Sequence, residues 1–243
     1  QRRVVFFIVF ITTQFIKKKY KHNSNTIRIS MNFDEFLKSL SKIKNIPLQA
    51  EASHFKMVPP FRREFLTQQK EAIKKAKHAG VLALFYPDID QQTKLVLILR
   101  KTYKGVHSAQ VAFPGGKLEA DDASLKEAAL RETFEEIGVP TDTVKVVRKI
   151  SQVYIPPSNF YVQPFVGIAK STPRFIKQDY EVEDIIEVSL RHFLDDESLV
   201  VKKVATSYNV DVEVPAFKLN GHVVWGATAM MLSEIKDLLK QLV

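Results

Sequence analysis

Cysteine is absent, glycine is scarce and tryptophan occurs once in the 243 residues. Without thiols the chain can hold no disulfide, thiolate zinc site, iron–sulfur cluster or cysteine nucleophile. Only 8 glycines exclude a collagen-like repeat, and 45% hydrophobic residues exclude a chain disordered throughout. Long apolar runs are lacking too. Val4 to Ile16 is interrupted by Thr12, Thr13 and Gln14, and is too short to cross ~30 Å of hydrocarbon as a helix. No small-residue cleavage site follows it. Acidic residues are missing from positions 1–30, which instead carry Arg2, Arg3, Lys17, Lys18, Lys19, Lys21 and Arg28. The other 213 residues hold 29 of the 36 basic groups against all 27 acids, a net +2 of the chain's +9. Basicity therefore belongs to the leader, which argues against a nucleic-acid-binding body.

Residues 1–30 are set apart from the fold. Their composition suits a mitochondrial leader, and the alternative is translated upstream sequence ahead of Met31. Residues 31–78 read as an N-terminal helical extension. Within it Phe33 to Ile43 forms an amphipathic helix with Phe33, Phe36, Leu37 and Leu40 on one side. Asn45 to Pro60 reads as a loop and Glu64 to Ala76 as a polar helix. Residues 79–243 form the main domain. The runs Val81–Phe85 and Leu95–Leu99 flank a polar stretch and predict a hairpin. Further strands are expected at Val144–Val153, Tyr161–Ile168, Ile185–Leu190, Lys202–Tyr208 and Val210–Phe217. Helices are expected from about Ala123 to Ile137 and at the C-terminus, where Met231, Ile235, Leu238 and Leu242 share a face. Strands outnumber helices without alternating with them, so the class is α+β.

Phe113 to Pro140 carries the chemistry. It holds seven acids and three bases in an otherwise basic chain. On a helix, Glu132, Glu135 and Glu136 share an arc of about 100°, and Leu130, Phe134 and Ile137 lie opposite as the expected core face. Like charges so spaced repel. Either they are solvated, with Arg131 pairing Glu127 and Glu135, or they take a hard divalent cation. Pro114-Gly115-Gly116 reads as a tight turn that brings backbone close to a ligand. Asp121 or Asp122 is a candidate helix cap, and Gly138 with Pro140 ends the helix.

Gly116 followed by Arg131-Glu132-Thr133-Phe134-Glu135-Glu136-Ile137-Gly138-Val139 resembles the Nudix box, G-x5-E-x7-R-E-U-x-E-E-x-G-U. The spacing from Gly116 to Arg131 is one residue longer than the general motif, so the isolated Glu has no clean counterpart. Asp122 is in phase with the Gly, Ala123 with the Arg. Thr133 replaces the usual apolar residue. The expansion resembles the coenzyme A pyrophosphatase branch. So do His107–Gly116 (HSAQVAFPGG), Ser158–Gly167, the Glu181-Val182 and Glu187-Val188 pairs, and Val224–Ala229. Ala109 departs from that branch's usual Gly. The branch's second Arg aligns with Gly105, beside Lys104.

The resemblance implies a mixed β-sheet sandwiched between helices, with a loop–helix–loop catalytic motif. It implies a metal-dependent pyrophosphatase that cleaves CoA or acyl-CoA to 3′,5′-ADP and (acyl-)phosphopantetheine. The alternatives are a Nudix enzyme for another nucleoside diphosphate derivative or nucleoside triphosphate, and a silent nucleotide-binding module. By resemblance, Glu132, Glu135, Glu136 and the Gly115 carbonyl hold Mg²⁺ or Mn²⁺. Glu132 is a candidate base and Arg131 orients a neighbouring carboxylate. Arg100, Lys104 and Glu181 are candidate substrate contacts. Trp225 is read as core before adenine-stacking, and His107 as a loop hydrogen-bonder. The implied partner is a small nucleotide, with no nucleic acid and no transmembrane segment; a homodimer stays open.

Overall fold

The two apolar runs pair as the hairpin that the sequence predicts. The computed structural model describes residues 32–58, 69–101, 110–204 and 212–242, all within one compact unit, Met31–Val243. In it β1 (Lys77–Pro87) turns back antiparallel into β2 (Thr93–Arg100). Short strands β3 (Val111–Ala112) and β4 (Gly115–Lys117) follow. The expected Val144–Val153 strand is divided into β5 (Val144–Lys149) and β6 (Val153–Ile155), both of which pair with β7 (Phe160–Ala169). With β8 (Val182–Ser189) these make one eight-stranded mixed sheet, whose main path is β3-β2-β1-β7-β5. Its centre is the parallel pair β1–β7, in register from Lys77↔Phe160 to Phe85↔Ile168. A second, antiparallel sheet joins β9 (Leu199–Val204), β10 (Val212–Leu219) and β11 (His222–Val224).

Six α-helices are described: α1 (Phe33–Leu40), α2 (Glu51–His54), α3 (Lys70–Lys74), α4 (Leu125–Ile137), α5 (Leu190–Leu194) and α6 (Gly226–Leu239). The α+β class and the helix-flanked mixed sheet agree with expectation. Strand alternation sends Leu82, Leu84, Tyr86, Val96 and Ile98 to one face, where they pack with Ala129 and Ile137 of α4. Phe85 points the other way and meets Phe36 of α1, ring centroids 5.2 Å apart. A capping box between Asn32 and Glu35 starts α1. The region read as a loop, 45–60, contains α2, whose His54 and Ser53 pack against α6. No helix among the described residues is long and apolar enough to cross a membrane.

Candidate active site

Helix α4 begins at Ser124, not at Asp121 or Asp122: the Ser124 hydroxyl accepts the Glu127 N–H. It ends at Gly138 in the left-handed conformation, φ 74°. Between these ends the buried residues are Ala128, Ala129, Thr133, Glu136 and Ile137. The expected opposition of core and acidic faces is therefore corrected in part: Ile137 is buried and Leu130 packs against the core, but Phe134 does not join them. Phe134 is 52% exposed, whereas Thr133 and Glu136 are each 1% exposed. The helix lies close over the sheet on its small residues, and Thr133 satisfies its hydroxyl by donating to the Ala129 carbonyl at 2.6 Å. The acidic arc overlaps the buried stripe, so Glu132 and Glu136 face protein.

Their partner is the segment read as a tight turn. Gly115 and Gly116 instead form β4, antiparallel to β1, with Val81 opposite Gly115 and Gly80 opposite Gly116. Gly115 sits at φ 143°, and a Cβ there would come within 2.4 Å of the Gly80 carbonyl oxygen. A Cβ on Gly116 would lie 2.3 Å from the Glu132 carboxylate. The glycine pair thus makes room for β1 on one side and for a carboxylate on the other. The Gly115 N–H donates to Glu136 Oε2 at 2.8 Å, and Arg100 Nη1 donates to Oε1 at 3.1 Å.

Burial pushes the Glu136 carboxyl up to about 7, opposed by the Gly115 N–H and Arg100 and assisted by the charges of Glu132 and Glu181. Glu132 is raised as well, first by burial, with Arg131 opposing and Glu135 and Glu181 adding repulsion. Glu181 enters through the strap that follows β7. Ile176 N–H and Gln178 N–H donate to the carbonyls of Ile137 and Glu136, capping α4. The Lys101 N–H then donates to the Glu181 carbonyl at 2.8 Å. Three of the candidate residues, Glu132, Glu136 and Glu181, therefore lie within electrostatic reach of one another.

Arg131 ties together what the helix would splay. It donates to Asp122 from Nε (3.0 Å) and Nη2 (2.9 Å), and its Nη1 reaches Glu132 and Glu135, each at 3.1 Å. The expected pairing with Glu127 is not made: that carboxylate accepts the Ala123 N–H. Asp122, read as a candidate helix cap and as the residue in phase with Gly116, is instead the anchor of Arg131. The hydrogen bonds from Arg131 hold its carboxyl below the usual range. Glu135 lies half in solvent. Trp225, read as core, is only partly buried. Lys104 and His107 lie outside the described residues.

The NUDIX domain matches residues 76–201. NudL, a Nudix hydrolase of Yersinia pestis (strain Pestoides F), is 31% identical over 144 residues, 58% of this chain and 70% of its own length. The chain belongs to the Nudix family. NudL of Yersinia pseudotuberculosis serotype O:3 (strain YPIII) matches to the same extent. Among solved structures, the M. smegmatis Nudix hydrolase RenU is 14% identical at a TM-score of 0.48, over 68% of this chain and 87% of that one. A MutT/nudix family protein from Enterococcus faecalis is 17% identical at 0.45, over 84% and 73%.

As a Nudix hydrolase the chain acts on pyrophosphate bonds of small nucleotides, and Nudix enzymes generally use divalent metal ions. Among the described residues no group of three or more acidic or histidine side chains converges closely enough to hold a metal ion. Glu135 is turned to Arg131, and both oxygens of Glu136 already have donors. The donor chemistry nonetheless fits. Glu132 and Glu136 are hard oxygen donors, withdrawn from water and destabilised by like charge, the condition a divalent cation relieves.

Proposed function

We propose that this Nudix chain hydrolyses the diphosphate of CoA or acyl-CoA to 3′,5′-ADP and (acyl-)phosphopantetheine. The observation that carries the diphosphate chemistry is the pair Glu132–Glu136 of α4, held against the Gly115–Gly116 strand, with the charge of Glu132 raising Glu136 and that of Glu181 raising both. The CoA assignment is supported by the one-residue expansion of the box and by the segments that resemble the CoA branch.

Glu132, Glu136, Glu135 and the Gly115 carbonyl would hold Mg²⁺ or Mn²⁺. Such an ion supplies charge neutralisation at diphosphate oxygens and acidifies water. The protein's own share is positioning. Arg131, itself anchored on Asp122, fixes Glu132 and Glu135 in one orientation. Glu132, half-buried and raised by desolvation, is suited to accept a proton from water. Glu181 adds negative charge opposite α4. Arg100, Lys101 and Lys104 are the cations for substrate phosphates, one of them for the 3′-phosphate that distinguishes CoA from simpler ADP derivatives.

A substrate panel at saturating Mg²⁺ tests the reading. CoA is expected to exceed 3′-dephospho-CoA in kcat/KM by about ten- to a hundredfold, the worth of one charge-assisted phosphate contact. Equal rates on the two, or preference for ADP-ribose, would move the chain to another nucleoside diphosphate derivative and leave the metal-dependent chemistry in place. Absence of turnover on every diphosphate, nucleoside triphosphates included, would favour a nucleotide-binding module.

A further inference from the structure

Arg100 closes β2 in phase with Val96 and Ile98, on the face that α4 covers. The pairing with β8 slips between Leu99 and Arg100, so that Leu99 faces Asp184 while Arg100 faces Val182. Such an irregularity re-aims a side chain at the strand end. The guanidinium reaches Glu136 Oε1 at 3.1 Å while the Gly115 N–H holds Oε2. Arg100 is mostly covered and the Glu136 side chain is almost entirely so. A buried carboxylate needs a compensating cation, and here the protein supplies its own. A divalent ion and Arg100 would claim the same carboxylate.

We propose that Arg100 is a placeholder for the divalent ion at Glu136, and that it exchanges this carboxylate for a substrate phosphate oxygen when the ion is bound. The inference rests on the reading of Glu136 as a metal ligand. The planar guanidinium suits both partners, because its fork of donors matches carboxylate and phosphate alike. In the free protein Arg100 holds the Glu136 side chain in place. With the ion present it becomes available to an anionic substrate, so ion and phosphate promote each other's binding through one side chain. A purely structural ion pair predicts something different, since its removal loosens the site for both.

The test uses the full chain and two probes, Mn²⁺ alone and methylenediphosphonate. Free Mn²⁺ is followed by electron paramagnetic resonance in wild type, Arg100→Gln and Glu136→Gln. Methylenediphosphonate binding is measured calorimetrically at saturating Mn²⁺. Arg100→Gln is expected to bind Mn²⁺ about tenfold more tightly and methylenediphosphonate about tenfold more weakly, the size of a lost charge-assisted contact. Arg100→Lys is expected to shift both affinities back towards wild type. Unchanged or weaker Mn²⁺ binding in Arg100→Gln overturns the proposal. If Glu136→Gln weakens Mn²⁺ binding in that case, the placeholder alone fails; if it does not, the metal-ligand reading fails with it. Should Arg100→Gln not fold, the wild type decides. Mg²⁺ should shift the Arg100 Nε–H resonance, assigned by its absence in Arg100→Lys, and a resonance indifferent to Mg²⁺ overturns the proposal.

Discussion

Gly115 and Gly116 are neighbours whose missing side chains serve different ends. At Gly115 both φ 143° and the Gly80 carbonyl oppose a Cβ, so backbone must move. Gly115→Ala is expected to cost more than about 2 kcal/mol, read as a lowered denaturation midpoint. At Gly116 the obstacle is the end of the Glu132 side chain, which can swing aside. Gly116→Ala is expected to keep stability within about 1 kcal/mol and to lower kcat at least tenfold. Similar losses of stability in both variants would contradict this division. Asp122→Asn tests the support behind the carboxylates: it keeps the shape but removes the charge facing Arg131, and kcat should fall about tenfold with KM little changed. The roles of these residues were unequally legible. The spacing from Gly116 marks Asp122, but a helix counted back from Arg131 points to Ala123, because the extra residue is absorbed ahead of the Ser124 cap. A helical wheel fixes which residues share an arc, not which arc meets the sheet. The sheet takes Ala128, Ala129 and Thr133, small enough for close approach, and leaves Phe134 outside.

Among the elements, α6 carries the most unusual burden. Glu234 is fully buried and accepts from Ala50 N–H, Ser151 N–H, Ser151 Oγ and His54. Burial alone would push its carboxyl up, but His54, Ser151 and the Ala50 N–H bring it below the ordinary range. Asp237 takes Lys56 and Ser53, so this face of α6 staples 50–57 to the body. Lys236, 4% exposed, donates to the Asp195 carbonyl and stands by Asp196. Burial lowers it to about 8. In the unfolded chain its pKa returns to the ordinary 10.5, so between these values the unfolded state binds more protons and stability rises with pH. The stability of wild type relative to Lys236→Met should therefore climb from about pH 8 to 10, by at most about 1.4 kcal/mol per unit. A flat difference would contradict a strained, buried ammonium. Nothing in the helix periodicity announces this, because Lys236 reads as an ordinary surface residue beside Ile235. The long strands and both long helices were legible from their apolar runs. Strands β3, β4 and β11 were not, since two or three residues carry no period.

At the scale of the molecule, the extension divides at a sharp boundary. Phe33, Phe36, Leu40, Ile43 and Met57 are buried, and Phe36 covers Phe85. Deleting residues 1–30 is expected to leave the melting temperature and diphosphatase activity nearly unchanged. Deleting 1–58 strips away those side chains, each worth about 1.5–3 kcal/mol on burial, and should leave a chain that aggregates or melts far lower. A short truncation that inactivates, or a long one that does not, would redraw this boundary. The parallel pairing of β1 with β7 has a consequence in time. Antiparallel β1 and β2 can close as a local hairpin, but β7 must return across more than seventy residues of intervening chain to lie beside β1. Closure over such a distance is entropically dear and slows folding. On the ribosome, the hairpin and the helix bearing Glu132 and Glu136 emerge well before the strand that completes the sheet centre. The Glu132 and Glu136 carboxylates therefore stay without their final backing until synthesis has passed residue 169.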